Sequence, residues 1–192
     1  MAGEEVEKVK GEMSHRPRTP TEKECEILMR EKCAVPENII SHCQKVAEVA
    51  DALTCAVNEA GAGLDANLIR SACLVHDVAR LEKNHGRAAA ELLRSMGFSE
   101  MADVVEVHMD VPVFPDDPLD EIQMVFYADK LVMNTKVVSV GQRFAAKARQ
   151  HGHNPASLEN IHRRETAALE VQAKIEKLTG KSVSEILSAA GV

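Results

Sequence analysis

The chain contains no tryptophan, one tyrosine and four phenylalanines among its 192 residues. A core so poor in aromatics is built from Ala, Val, Leu, Ile and Met, which favours packed helices over sheets. The same shortage argues against stacking platforms for single-stranded nucleic acid. No apolar run approaches the roughly 18–20 residues that a membrane span needs. The opening stretch MAGEEVEKVKGEM has no apolar centre of the kind a secretory signal carries. The five cysteines, Cys25, Cys33, Cys43, Cys55 and Cys73, form no CxxC pair, and three fall inside apolar helical patterns. That argues against a thiolate zinc site and fits reduced, buried thiols in a cytoplasmic chain. Convincing period-two alternation is missing, and so is any repeat at a fixed period of roughly 20–50 residues.

Charge is present in quantity, with 23 Lys and Arg against 30 Asp and Glu, a net −7. An acidic chain is a poor generic binder of DNA or RNA. The balance is uneven along the sequence. Residues 36–140 hold 8 basic and 17 acidic side chains, net −9, whereas residues 141–192 hold 8 and 5, net +3. An acidic middle suits an anionic substrate only if something cationic is bound there, a first hint of metal.

Residues 1–18 are polar and charged and read as a flexible arm. Residues 19–150 read as a helical domain, and 151–192 as C-terminal helices packed on it. Thr19-Pro20-Thr21-Glu22 predicts a helix capped by Thr19 and running to about Lys32. Pro36-Glu37 restarts the chain, and Ile39, Val46, Val49, Ala50, Leu53 and Val57 recur at helical steps up to Glu59. Asp65 opens a helix expected to reach about Arg80. Further helices are expected over 86–96, from Ser99, from Asp117-Pro118 through Met133, over 139–150, from Asn154-Pro155 to about Leu178, and over 183–190. The stretch 110–118, with three prolines and three aspartates, is a loop. The fold class is all-α, a single-domain bundle of eight or nine helices.

The chemistry lies in polar residues placed where core residues are expected. His42 shares a stripe with Val46, Val49 and Leu53. His76 lies one turn beyond Ala72 and Cys73, with Asp77 next to it. His108 follows Val104 and Val105, and Asp129 lies between Phe126 and Val132. A buried carboxylate without a partner costs several kcal/mol or else neutralises. Two carboxylates and three imidazoles aimed inward from four helices share one explanation, a divalent cation. Mixed His/Asp ligation suits Fe, Mn, Zn or Mg.

The ordered set His42, His76-Asp77 and Asp129 resembles the HD-domain superfamily of metal-dependent phosphohydrolases. The stretches "ACLVHDVARLEKNHGRAAAELL" and "VFYADKLV" carry the likeness, which spans roughly residues 36–145. The resemblance implies a helical bundle of the HD-domain type, with one metal on His42, His76, Asp77 and Asp129. His85 and His108 match positions that bind a second metal in dinuclear members, with Asp77 bridging. A Met109 stands where some of those members carry a second His, and His85 is alternatively a loop histidine that contacts phosphate. The implied activity is hydrolysis of a phosphate ester or anhydride of a nucleotide or related small molecule by a metal-bound hydroxide. Asp77, His85, Arg80 and Lys130 are the catalytic candidates, and Arg143 and Arg87 are further donors to the anion. Glu82 or Asp110 would serve as base in a one-metal version. Two rivals use the same scaffold: a dinuclear iron oxygenase and a non-catalytic module that holds metal and nucleotide. No membrane partner is expected, and a homodimer is an open alternative. His15, His151, His153 and His162 read as solvated.

Overall fold

The computed structural model describes residues 18–151 and 153–192. The expected arm, His15 included, lies outside the described residues except for Arg18. Helix α1 spans Glu22–Ile27 and passes into one π-helical turn over Leu28–Lys32. Its cap is Thr21, two residues later than the Thr19 expected. Thr21 and Glu24 form a reciprocal capping box, which satisfies two backbone donors at once and outweighs the pull of Pro20. Helix α2, Glu37–Glu59, is the central rod and buries Val46, Val49, Ala50, Leu53 and Val57 completely.

Helix α3 spans Ala66–Val75, with the Asp65 carboxylate accepting from the Asn67 and Leu68 amides. It stops five residues short of the expected Arg80. Past Val75 the backbone tightens into three-residue turns, with Val78 donating to Val75, Arg80 to Asp77 and Glu82 to Ala79. Asn84 then adopts a left-handed conformation before α4, His85–Ser95. Helix α5 follows at Ser99–Val107. Helix α6, Glu121–Lys130, begins later than Asp117-Pro118 because the Asp120 side chain caps it at the Gln123 amide. It also ends earlier than expected: Val132 and Met133 form strand β1, paired antiparallel with β2 at Lys136–Val137 around a left-handed Asn134. Helices α7 (Val140–His151), α8 (Pro155–Thr179) and α9 (Val183–Ala190) complete the described chain.

The architecture is therefore all-α apart from that short hairpin. Helices α3, α6, α8 and α9 pack on α2, α4 and α5 form a close antiparallel pair, and α7 packs on α8. Ile161, Ala168, Val171 and Ile175 of α8 face inward, while Leu169 is about half exposed. No described helix is long and apolar enough to cross a membrane.

At Gly86, α4 lies close against the backbone of α5. A Cβ on Gly86 would stand 2.8 Å from the Glu106 carbonyl oxygen, which belongs to helix backbone and cannot swing away. Gly86→Ala is expected to lower stability by about 1–3 kcal/mol through forced separation of the two helices. Chemical denaturation measures this, and Gly141→Ala, with open space around it, is the matched control.

Candidate metal centre

Five separate elements bring polar side chains to one place beside α2. His42 comes from the second turn of α2, and His76 and Asp77 come from the turns after α3. His85 opens α4, His108 ends α5, and Asp129 lies in the last turn of α6. The four imidazoles stand side by side, with ring centroids 5.4 Å apart for His42 and His76, 5.1 Å for His76 and His108, and 5.4 Å for His108 and His85. The early end of α3 matters here, because it leaves both His76 and Asp77 turned into the cluster.

Three of the rings are tethered alike. His42 Nδ1 donates to the Asn134 carbonyl at 2.8 Å, His76 Nδ1 to the Cys73 carbonyl at 2.8 Å, and His108 Nδ1 to the Val105 carbonyl at 2.6 Å. A carbonyl oxygen only accepts, so each Nδ1 carries a proton, and Nε2 is the ring atom turned into the cluster. There the Nε2 atoms face carboxylates. His42 Nε2 is 3.1 Å from Asp129 Oδ1. His76 Nε2 is 3.7 Å from Asp77 Oδ2 and 3.9 Å from Asp129 Oδ1. His108 Nε2 is 3.8 Å and His85 Nε2 3.4 Å from Asp77 Oδ1. His76 Nε2, His108 Nε2 and Asp77 Oδ1 are buried with no hydrogen-bond partner at all.

Buried polar atoms left without a partner cost about 1–3 kcal/mol each, a cost that a positive charge placed between them relieves. The donor set fits a divalent cation: imidazole nitrogens and carboxylate oxygens, with backbone carbonyls fixing the far side of the rings as in known second shells. Two triads, His42-His76-Asp77 and Asp77-His85-His108, each bring their ligand atoms within 4.8 Å of one another and share Asp77.

Titration follows the same logic. Burial opposes ionisation of Asp129, but Lys130, His42, His76 and Arg143 hold its carboxyl well below the usual range. Burial likewise opposes ionisation of Asp77, and His76 and Arg80 still keep its carboxyl low. Burial pushes His108 down to about 3, with His76 and Lys130 adding to it, and burial lowers His85. His76 goes the other way: against burial, Cys43, Asp77 and Asp129 draw its imidazole up to about 10. The field at the centre of the cluster attracts positive charge.

Above the cluster opens a cleft of about 240 Å³ whose wall includes His42, Asp77 and Asp129 together with five basic residues, Arg80, Lys130, Arg143, Lys147 and Arg164. Arg80 Nη1 lies 3.6 Å from Asp77 Oδ1 and 3.2 Å from His85 Nε2. Lys130 is buried; its ammonium donates to Asp129 Oδ2 at 2.7 Å and to the His108 carbonyl at 3.3 Å, and sits 4.6 Å over the Phe126 ring. Arg143 bonds the Val132 carbonyl and approaches Asp129 Oδ1 to 3.5 Å.

Other expected contributors are placed elsewhere. Arg87 is exposed and paired with Glu91 at 2.9 Å, and Glu82 is exposed and absent from the cleft wall. Asp110 is engaged by Arg163 and Arg164. Of the stretches 80–88 and 110–118, expected at the mouth, only Arg80 contributes to the cleft wall, which α7 and α8 help to complete. His151, His153 and His162 are exposed. Lys147 and Arg164 were not anticipated. Lys147 had a signal, since it lies four residues past Arg143 on one face of a helix; Arg164 had none.

A protein-family model described as HD domain matches residues 39–134, half of the chain and the segment that carries all six His/Asp residues of the cluster. The chain belongs to the HD domain family. An uncharacterized protein of Methanocaldococcus jannaschii is 29% identical over 151 residues, covering 70% of this chain and 88% of that relative. No solved structure matches significantly.

The ion pair inside this HD domain gives a direct test. Lys130→Met keeps the length and apolar stem of the side chain but leaves Asp129 short of its nearest counter-charge. Breaking a buried pair on one side costs roughly 3–5 kcal/mol. Chelator-treated Lys130→Met protein is expected to lose about 3 kcal/mol in denaturant titrations. The loss should shrink when Mn²⁺ is added, because a metal then compensates the same carboxylate.

Proposed function

We propose that this HD domain is a metal-dependent phosphohydrolase acting on a small phosphate-bearing molecule. The supporting observation is the pairing of two layers. Beneath lie buried imidazoles and carboxylates whose inward acceptors have no protein partner; above lies a cleft rich in guanidinium and ammonium groups. His42, His76, Asp77 and Asp129 hold one ion in this reading, and Asp77, His85 and His108 hold a second. A divalent ion there supplies Lewis acidity, polarising the phosphoryl oxygens and lowering the pKa of water toward about 7.

The protein's own groups do the rest. Asp77 stays ionised and serves both triads. Lys130 keeps Asp129 ionised without entering the reaction, which makes it a positioning residue. Arg80 stands beside Asp77 and His85 with its guanidinium at the cleft, where it donates to the equatorial oxygens of the phosphoryl group. If a single ion binds, His85, the ring least tied to the backbone, is left to face the phosphate. The oxygenase reading draws on the same six residues, but five basic residues around the opening favour a phosphate over an uncharged organic substrate.

The test starts from protein purified without chelators. Elemental analysis should find one or two Fe, Mn, Zn or Mg ions per chain. Phosphate release from a panel of phosphate esters and nucleotides, with added Mn²⁺ or Fe²⁺, should be metal-dependent. Asp77→Ala should lower it by more than the roughly 10–100-fold that loss of an outer-shell partner costs. Oxygen uptake with a mixed-valent iron signal and no phosphate release would overturn the reading in favour of an oxygenase. Tight ligand binding with no turnover would leave a non-catalytic module.

A further inference from the structure

The five basic residues of the cleft are not equivalent. Lys130 and Arg143 are spent on Asp129, at 2.7 and 3.5 Å, and Arg80 stands 3.6 Å from Asp77. Lys147 and Arg164 approach neither carboxylate. Among the described residues the Lys147 ammonium has no ion-pair partner, although the side chain is half-buried; burial lowers its pKa, and Arg143 lowers it further. Arg164 buries an Nε with no hydrogen-bond partner, and its Nη2 reaches only to 3.8 Å from Asp110, a carboxylate already bonded by Arg163. Lys147 and Arg164 line the same cleft, and neither has a carboxylate closer than the 3.8 Å between Arg164 and Asp110; half-buried cations so weakly compensated gain from an anion bound between them.

Their position separates them from the metal cradle. Lys147 is one turn of α7 beyond Arg143, about 6 Å along the helix axis from the residue that touches Asp129. Arg164 comes from the neighbouring α8, which packs on α7. The charge count points the same way. Five basic residues face two carboxylates in the cleft wall, a surplus of three before any metal adds its own charge. A single phosphate monoester, a dianion, does not balance that surplus.

What the cleft lacks is equally informative. Phe144 is the one Phe, Tyr or Trp side chain among the described residues of its wall, and it is 4% exposed. Tyr127 is buried with its hydroxyl donating to Gln172, and the exposed Phe114 is not part of the wall. A nucleobase finds no open Phe, Tyr or Trp face to stack on. The volume, about 240 Å³, also falls below the roughly 300–1,000 Å³ of sites for drug-sized ligands.

We propose that Lys147 and Arg164 form a second anion subsite, with Arg143 between it and the metal cradle. Its ligand is a compact phosphate ester that carries a second anionic group, carboxylate or phosphate, on a short carbon chain and no nucleobase. The substrate class rests on the phosphohydrolase reading; the subsite does not.

Two matched pairs of probes test this on the Mn²⁺-loaded full chain: 3-phosphoglycerate against glycerol 3-phosphate, and glycerol 1,3-bisphosphate against glycerol 3-phosphate, with AMP and ADP alongside. The doubly anionic member of at least one pair should be preferred in kcat/KM by roughly tenfold or more, the scale of one or two charge-assisted hydrogen bonds. The pair that shows the preference tells a carboxylate from a phosphate as the second group. Lys147→Gln and Arg164→Gln should each shrink that preference several-fold, and Lys147→Arg should restore much of it; thermal unfolding confirms that the variants fold. Equal rates within both pairs, faster turnover of AMP or ADP, or an unchanged preference in both Gln variants would overturn the proposal. If no phosphate ester is turned over, the hydrolase reading fails, and calorimetric titration of the same pairs judges the subsite alone. Tighter binding of the doubly charged member, weakened in Lys147→Gln, upholds the subsite, and equal affinities overturn it.

Discussion

The centre of this protein depends on one arrangement: an imidazole whose Nδ1–H is held by a backbone carbonyl, so that its Nε2 faces a buried carboxylate. It is repeated at His42, His76 and His108. Each tether removes the freedom of the ring to flip. The carboxylates of Asp77 and Asp129 remain ionised because Lys130, His76, Arg80 and Arg143 surround them, so they offer no proton to share. The result is a set of inward polar atoms, of which His76 Nε2, His108 Nε2 and Asp77 Oδ1 have no hydrogen-bond partner. Anything that binds the folded form there and not the unfolded chain adds to stability by mass action. For a metal bound as proposed, folding energy and metal affinity would be coupled quantities.

The rest of the bundle reads as the means of holding those rings in place. Helix α3 ends at Val75, and three-residue turns follow it. Those turns place His76 and Asp77 in the cluster. Gly86 lets α4 settle against the Glu106 carbonyl of α5, and that contact sets His85, at the start of α4, against His108, at the end of α5. The hairpin after α6 is small, but Asn134 in its turn supplies the carbonyl that fixes His42. Regular helices make up the bulk of the structure, while the site is built at their ends and interruptions, where backbone carbonyls are left over from the helical ladder.

This division explains what could be read from the sequence. The all-α class, the central rod from Glu37 to Glu59 and the final helix over 183–190 were legible because apolar periodicity and strong caps are local signals. The HD doublet and the spaced His/Asp set were legible because polar residues on apolar stripes have to be explained. The end of α3, the hairpin at Val132 and the cap at Thr21 were misjudged. Each depends on a hydrogen bond competing with the helix: the His76 ring to Cys73, the β1–β2 pairing, the Thr21–Glu24 box. Only the Thr21 box could be read locally, and there the proline beside it was the more conspicuous signal. The cleft wall was least legible. Arg87 and Glu82 lie close in sequence to the doublet yet point to solvent, whereas Lys147 and Arg164 are brought over it by two later helices whose approach no local pattern encodes.

The uneven charge along the chain acquires a meaning from this geometry. The acidic middle, net −9 over residues 36–140, contains all six residues of the cradle, and the basic tail, net +3 over residues 141–192, folds back over it with α7 and α8. Negative groups form the floor and positive groups the rim. A cation is drawn to the floor, and once there it adds to the field of the rim instead of opposing it, since both attract an anion. Charge order along the sequence thus becomes binding order in space, with metal beneath and anion above. Either layer alone is electrostatically incomplete: the floor repels an anion until it holds a cation, and the rim repels itself until it holds an anion. In the proposed reading, two ligands of opposite sign would therefore bind here with positive coupling, each lowering the cost that the protein bears for the other.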